Sequence, residues 1–160
     1  MSFDLSVLPH KNIILAVTGG IAAYKSAILV RRLKDAGFSV RVVMTKGAQA
    51  FITPLTFQAL SGNPVHTELL DTEAEAGMGH IELARWADLI LVAPASCDTL
   101  AKFAAGLADD LLSTLYLATN APVWVAPAMN QQMWAAKATQ RNLTTLVEDG
   151  VHVIMPDAGE

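Results

Sequence analysis

The chain is 160 residues long, 52% hydrophobic and only 16% charged, with a formal net charge of −4 at neutral pH. That length suits one domain with a full core, and an acidic balance with no basic run argues against a nucleic-acid footprint and an anionic membrane surface. No apolar stretch reaches the roughly 18 residues needed to span a bilayer, the N-terminus lacks a charged-then-apolar signal pattern, and the one cysteine, Cys97, forbids an internal disulfide, so the expected compartment is the cytosol.

Residues 1–11 read as a loose lead-in. The apolar run Asn12 to Thr18 ends at Gly19-Gly20 and predicts a buried strand. Ile21, Tyr24, Ile28, Leu29 and Leu33 recur at helical spacing, so a helix is expected over 21–36, stopped by Gly37. The β-branched stretch Ser39 to Met44 predicts the second strand. A short helix is expected over 45–51. A second begins at Thr53-Pro54, with proline at the first helical position, and runs to about Leu60. Asp71 to Gly79 is acidic, then glycine-rich, and reads as an exposed loop. A helix over 80–87 follows, then a third strand over 88–94. Helices are expected over 96–107 and 110–118, a fourth strand over 122–126 and a long helix over 131–149 capped by Gly150. A fifth strand over 151–155 closes the pattern. Strands alternating with helices imply right-handed crossovers and a parallel sheet, a doubly wound α/β fold. Ligands of such sheets bind beyond the carboxyl ends of the strands, so the informative residues stand just after each strand.

After the first strand, Gly19-Gly20 lets a ligand approach the backbone, and the helix that follows presents N–H groups to an anion. The same residues also suit a tight turn with no ligand. The third glycine of the dinucleotide pattern is missing, and Lys25 is not spaced for a Walker loop. Thr45 can cap a helix or meet a phosphate. After the third strand, Ser96, Asp98 and Thr99 offer more hydroxyl and carboxyl groups than one helix cap uses, which favours ligand contact. Cys97 reads as a small packed residue, with no basic neighbour in sequence to lower its thiol pKa. Asn130 can cap the long helix or hydrogen-bond a substrate carboxylate, and Met129 and Met133 suit adaptable packing. His80, opening a helix after Gly77-Met78-Gly79, can serve as a base or sit at the surface. The His and Cys positions have no metal-site spacing, and there is no Gly-x-Ser-x-Gly elbow.

Taken in order, Gly19-Gly20-Ile21-Ala22-Ala23-Tyr24-Lys25, Thr45 with Phe51, Gly79-His80-Ile81, Pro94-Ala95-Ser96-Cys97-Asp98-Thr99 and Pro127-Ala128-Met129-Asn130-Gln131-Gln132-Met133 resemble the flavin-dependent cysteine decarboxylase family. The resemblance covers roughly residues 11–160. Within the family it is nearest to members that act on phosphopantothenoylcysteine in coenzyme A synthesis. The Pro-Ala-Met-Asn segment separates these from the related flavin prenyltransferases. The resemblance implies a Rossmann-like, flavodoxin-type three-layer sandwich and an FMN cofactor near a subunit interface. It implies a homotrimer, often assembled into a dodecamer, and in bacteria fusion to a synthetase domain. It implies cofactor contacts from Gly19, Gly20, Ile21, Ala22, Ser26, Thr45, Phe51, Ser96 and Thr99. It makes His80 the catalytic base, puts Asn130 on the substrate carboxylate, and adds Ala128 and Met133 to the substrate pocket; no metal is needed.

The implied chemistry is oxidation of the substrate thiol to a thioaldehyde, loss of CO2 from this electron sink, and re-reduction of the enethiol to 4′-phosphopantetheine. The cofactor carries the redox step and the protein orients it. Two departures stand out. The family's proton-donating cysteine lies on a flap just beyond Pro156-Asp157-Ala158-Gly159, while this sequence stops at Glu160 and Cys97 does not match that position. The expectation is one FMN-binding decarboxylase domain over 1–160 without flap or synthetase, its final reduction impaired. Asp98 stands where the family often has Asn, which adds negative charge near the flavin unless it turns outward. Rival expectations are a decarboxylase of a peptide's C-terminal cysteine, a non-catalytic flavoprotein acting as a regulatory subunit, and a bare nucleotide-binding module.

Overall fold

The computed structural model of the chain describes residues 12–69 and 78–155. The expected lead-in, most of the acidic loop and the expected flap hinge at 156–159 lie outside these residues. Five strands form one sheet: β1 (Asn12–Val17), β2 (Ser39–Met44), β3 (Leu89–Ala95), β4 (Val123–Pro127) and β5 (His152–Val153). Every pairing is parallel, and the spatial order is β2-β1-β3-β4-β5. This is the flavodoxin-type doubly wound order, whose switch point lies between β1 and β3.

The helices cover both faces. On one side lie α1 (Ala23–Asp35) and α2 (Pro54–Ser61). Their Ala23, Val30, Leu33 and Phe57 pack on Ile13, Leu15 and Val17 of β1 and on Leu89 and Leu91 of β3. On the other side lie α3 (His80–Trp86), α4 (Cys97–Ala105), α5 (Leu111–Ala118) and α7 (Lys137–Glu148). They bury Leu83, Leu100, Leu115, Leu143 and Leu146 against Ile14, Ala16, Ile90 and Val92. The alternation of β1 and β3 side chains between two cores explains why these strands read as unbroken apolar runs rather than as alternating ones. All seven residues of β3 are buried.

Helix ends follow the local sequence. Thr53-Pro54 opens α2 as expected. At the end of α7, Gly150 takes φ +92°, its N–H reaching the Val147 carbonyl and that of Val151 the Leu146 carbonyl. This is a Schellman closure, which needs the left-handed conformation that glycine adopts freely. Asp110 caps α5 in a capping box with Ser113. The outer edge of β2 is covered by residue 66, whose backbone N–H donates to the Val42 carbonyl and whose carbonyl accepts from Met44.

Three expectations need correction. The helix expected over 45–51 is a short 3-10 turn, Gly47–Ala50. The long helix expected over 131–149 is two helices, α6 (Gln131–Ala135) and α7, separated by Ala136 at φ −57° and ψ 136°. No glycine or proline marks this break. α7 lays Leu143 and Leu146 on the core, whereas α6 buries none of its residues and only leans Trp134 on the same cluster. The Gln140 amide seals the break by donating to the Trp134 carbonyl at 2.6 Å. The last strand spans only His152–Val153, because Val151 is already committed to the α7 closure.

Candidate active site

The loops after β1, β2, β3 and β4 meet at the carboxyl edge of the sheet and are stitched together in sequence. The Thr45 N–H after β2 donates to the Val17 carbonyl at 3.1 Å. Thr18 after β1 donates its hydroxyl to the Pro94 carbonyl at 2.7 Å and accepts from the Ser96 N–H at 2.8 Å. The Ala128 N–H after β4 donates to the Ala95 carbonyl at 3.1 Å. Between Val92 and Ala95 the register with β4 slips. The carbonyls there need partners off the ladder, and Thr18 takes Pro94 while the Ser26 hydroxyl takes Ala93 at 2.7 Å. Loop one also touches loop two directly: a Cβ on Gly19 would stand 3.2 Å from the Gly47 backbone carbon. A side chain there would push the second loop back by a few tenths of an ångström.

Beside this platform opens a cleft of about 1120 Å³. Its lining includes Gly20, Ile21 and Ala22 of the first loop with Ser26 and Leu29 of α1. Ala128, Met129 and Asn130 of the fourth loop, Trp134 of α6 and Met155 after β5 also line it. Lys25 is the one charged side chain among the described residues that line it. α1 starts with no side-chain cap and no acidic residue in its first turn, so its positive end is left for an anion. A smaller cavity of about 460 Å³ lies at the amino ends of β4 and β5, beside Phe103 and Tyr116. Burial raises the Tyr116 phenol pKa there, aided by Asp149. Doubly wound sheets bind ligands at the other edge, so the large cleft is the candidate.

Of the residues singled out in the sequence, Gly20, Ile21, Ala22, Ser26, Ala128 and Asn130 come together in this cleft. Asn130 both caps and faces it. Its Oδ1 accepts from the Met133 N–H at 2.9 Å, which leaves the amide donors without a partner among the described residues. Gly19 lies behind the wall against Gly47. Thr45 accepts from Ala48 N–H at 3.3 Å, one residue before Lys46, the cap position of the 3-10 turn. Ser96 caps α4, accepting from Thr99 N–H at 3.2 Å and donating to the Thr99 hydroxyl at 3.1 Å. Phe51 and Met133 are exposed outside the cleft lining. His80 is the first residue of α3, on the opposite face of the sheet from α1, and does not line the cleft. Cys97 packs beside Thr139, with Sγ 3.4 Å from its hydroxyl.

Asp98 turns outward. Its side chain is 78% exposed and lies 3.7 Å from the Lys102 ammonium. Lys102 also meets Asp109 at 3.3 Å and Asp110 at 3.4 Å. Burial would lower the Lys102 pKa, but these carboxylates, Asp110 foremost, hold it raised. Burial pushes the Asp110 carboxyl up, and the Ser113 hydroxyl and amide together with Lys102 outweigh it, leaving the pKa lowered. Sequence reasoning passed over Thr18, Gly47, Trp134 and Met155. The position of Thr18 at a strand end was the available signal. Trp134 reaches the cleft from α6, a helix that sequence reasoning had merged with α7.

A family model described as Flavoprotein matches residues 4–160. The chain is 60% identical over 156 residues to the coenzyme A biosynthesis bifunctional protein CoaBC of Vibrio vulnificus, a match that covers 98% of this chain and 39% of that protein. The chain thus spans about two fifths of the length of the curated relatives it matches. The structure is similar to that of the FMN-dependent cysteine decarboxylase SpaF, with TM-score 0.86 and 34% identity over 96% of this chain and 88% of that one. It is similar also to a PPC decarboxylase mutant complexed with pantothenoylaminoethenethiol, with TM-score 0.75 and 35% identity over 91% of this chain and 81% of that one. With the cleft placed beside the β1/β3 switch point and the match running through the described sheet, the chain belongs to the Flavoprotein family.

Proposed function

We propose that this chain is an FMN-dependent decarboxylase that converts 4′-phosphopantothenoylcysteine to 4′-phosphopantetheine in coenzyme A biosynthesis. The observation that carries the reading is that one cleft beside the switch point joins the Gly20–Ser26 wall to the Ala128–Asn130 wall. FMN fits the residues present. The cleft exceeds the roughly 300–1,000 Å³ of drug-sized ligand sites, so a flavin and a substrate have room together. Gly20 lines the cleft as bare backbone with open space where a Cβ would stand, and the uncapped start of α1 with Lys25 suits a phosphate. When bound, FMN supplies the two-electron redox chemistry.

The protein's own part is orientation and proton transfer. The free amide donors of Asn130 hydrogen-bond the substrate carboxylate, and apolar Ala128 and Met129 keep water from it. In this reading His80 accepts the thiol proton. Because His80 lies across the sheet from α1, a second copy of the chain brings it to the cleft. The exposed apolar side chains of Ile21 in the first loop and of Tyr24 and Ile28 on α1, together with exposed Phe51 and Leu55, support such self-association, and we assign it as a homotrimer able to build a dodecamer. We assign fusion to a phosphopantothenoylcysteine synthetase domain, a reading supported by the bifunctional CoaBC relatives, of which this chain spans 39%, and a cytoplasmic setting. Among the described residues no helix is long and apolar enough to cross a membrane.

The test is the visible absorption spectrum of the purified protein, followed by anaerobic addition of phosphopantothenoylcysteine. A flavin spectrum that bleaches with CO2 release supports the reading. Bleaching only with a peptide ending in cysteine moves the substrate class. A flavin spectrum that neither substrate changes rejects the decarboxylase in favour of a regulatory flavoprotein, and failure to take up FMN removes the cofactor.

A further inference from the structure

Among the described residues, the stitches between neighbouring strand-end loops are of two kinds. Those from Thr45 to Val17 and from Ala128 to Ala95 join backbone to backbone and continue the sheet ladder. The stitch across the switch point, from β1 to β3, is made largely by one side chain. The Thr18 hydroxyl is fully buried, donates to the Pro94 carbonyl at 2.7 Å and accepts the Ser96 N–H at 2.8 Å. The Thr18 N–H adds only a longer bond to the same carbonyl, at 3.3 Å. Ser96 is the cap of α4, so whatever fixes its amide fixes where that helix begins. Thr18 is followed at once by Gly19, which rests on Gly47. One hydroxyl therefore holds the first and third loops together while its neighbour sets the second.

We infer that Thr18 is the positioning residue that sets the first loop against the third before the cofactor arrives, and so preorganises the flavin site. The inference rests on the reading that the cleft takes FMN. Threonine suits the task better than serine or valine. Its branched Cβ restricts the side-chain rotation, which aims the hydroxyl, while its methyl fills buried space. Valine would keep the shape and leave the Ser96 N–H without its acceptor, and a buried donor without a partner is costly. Ser96 is only half-buried, so its amide can turn to water if the third loop swings away from the first. The damage then falls on the geometry of the site rather than on the core, and a site ordered beforehand binds more tightly than one that must be ordered on binding.

The test titrates apoprotein with FMN by quenching of flavin fluorescence, for the unaltered chain, Thr18→Val and Thr18→Ser, with Val123→Ala at the far end of β4 as a destabilised control. Thr18→Val is expected to raise the Kd for FMN about tenfold or more and to weaken the visible circular dichroism of the bound flavin. Thr18→Ser should restore both to within about threefold, and Val123→Ala should lower Tm with Kd unchanged. An unaltered Kd in Thr18→Val, or an equal rise in Val123→Ala at equal loss of Tm, overturns the inference while the FMN reading stands. No FMN uptake by the unaltered protein overturns both. Should Thr18→Val not fold, amide exchange in the unaltered apoprotein decides. Protection of the Ser96 N–H comparable to that of Leu91 supports the lock, and exchange at the rate of an exposed loop overturns it.

Discussion

The Asn130 amide divides its two ends between the protein and the cleft, and that division can be tested one end at a time. Asn130→Asp keeps a capping oxygen for Met133, since aspartate caps as well as asparagine, and so should leave Tm nearly unchanged. It loses the donors and sets a negative charge before a carboxylate, so substrate affinity measured by calorimetry should fall roughly tenfold or more. His80→Asn should lower CO2 release about a hundredfold or more while FMN stays bound, because His80 does not line the cleft of its own chain, where the loops proposed to hold FMN meet; unchanged turnover sinks the assignment of the base. Asp98 shows how a substitution that looks awkward in sequence is absorbed: its carboxylate points to solvent and to Lys102, and it sits in the first turn of α4 where negative charge is favourable. Asp110→Ala should cost about 1 kcal/mol through the lost cap. The folded-state pKa of Asp110 is lowered, so its contribution is full above the unfolded value of about 3.9 and disappears as pH falls through the folded one. Urea unfolding should therefore separate parent and variant at neutral pH, and the gap should narrow as pH falls below about 3.9.

At the scale of elements, the strands and the helix ends were legible and the interior of one helix was not. Gly37, Gly62 and Gly150 close helices where a left-handed residue is needed, and Pro54 opens one, so the chemistry of each boundary is local and readable. The break at Ala136 leaves no trace in the Trp134-Ala-Ala-Lys run, which contains no glycine or proline. The hydroxyls at the helix starts were legible as caps or ligand groups, but not which of the two. Ser96 and Asn130 cap in the structure, Thr45 bonds the Ala48 amide, and Ser26 is turned inward to Ala93. α2 is pinned to the sheet chiefly by Phe57, which is fully buried. Phe57→Ala should therefore cost about 3–5 kcal/mol, seen as a lower urea midpoint with an unchanged slope. A loss below about 1 kcal/mol would mean that α2 collapses onto the vacated space.

At the scale of the whole molecule, alternation of strands and helices was enough to predict a doubly wound parallel sheet, but not the order in which the strands lie. That order rests on pairings such as β1 with β3, which join strands far apart in the chain. It is also why the site was legible only as a set of strand-end loops, with Thr18 unremarked: its partners are 76 and 78 residues away. The apolar face of α1 carries a prediction of its own. Tyr24→Asp combined with Ile28→Asp should reduce the mass seen by light scattering to that of a monomer and abolish decarboxylation together with it, since His80 then has no neighbouring cleft to enter. An intact oligomer would place the contact elsewhere. The pairing of β1 with β3 has a further consequence, for the time during which the chain is made. β1 is central in the sheet, yet the strand that covers its second edge begins at Leu89. At roughly 5–20 residues per second of synthesis, β1 waits several seconds with that edge open. Its apolar run Ile13-Ile14-Leu15 is a sticky template during the wait, so nascent chains stalled before Leu89 should aggregate, and chains released after β3 has emerged should not.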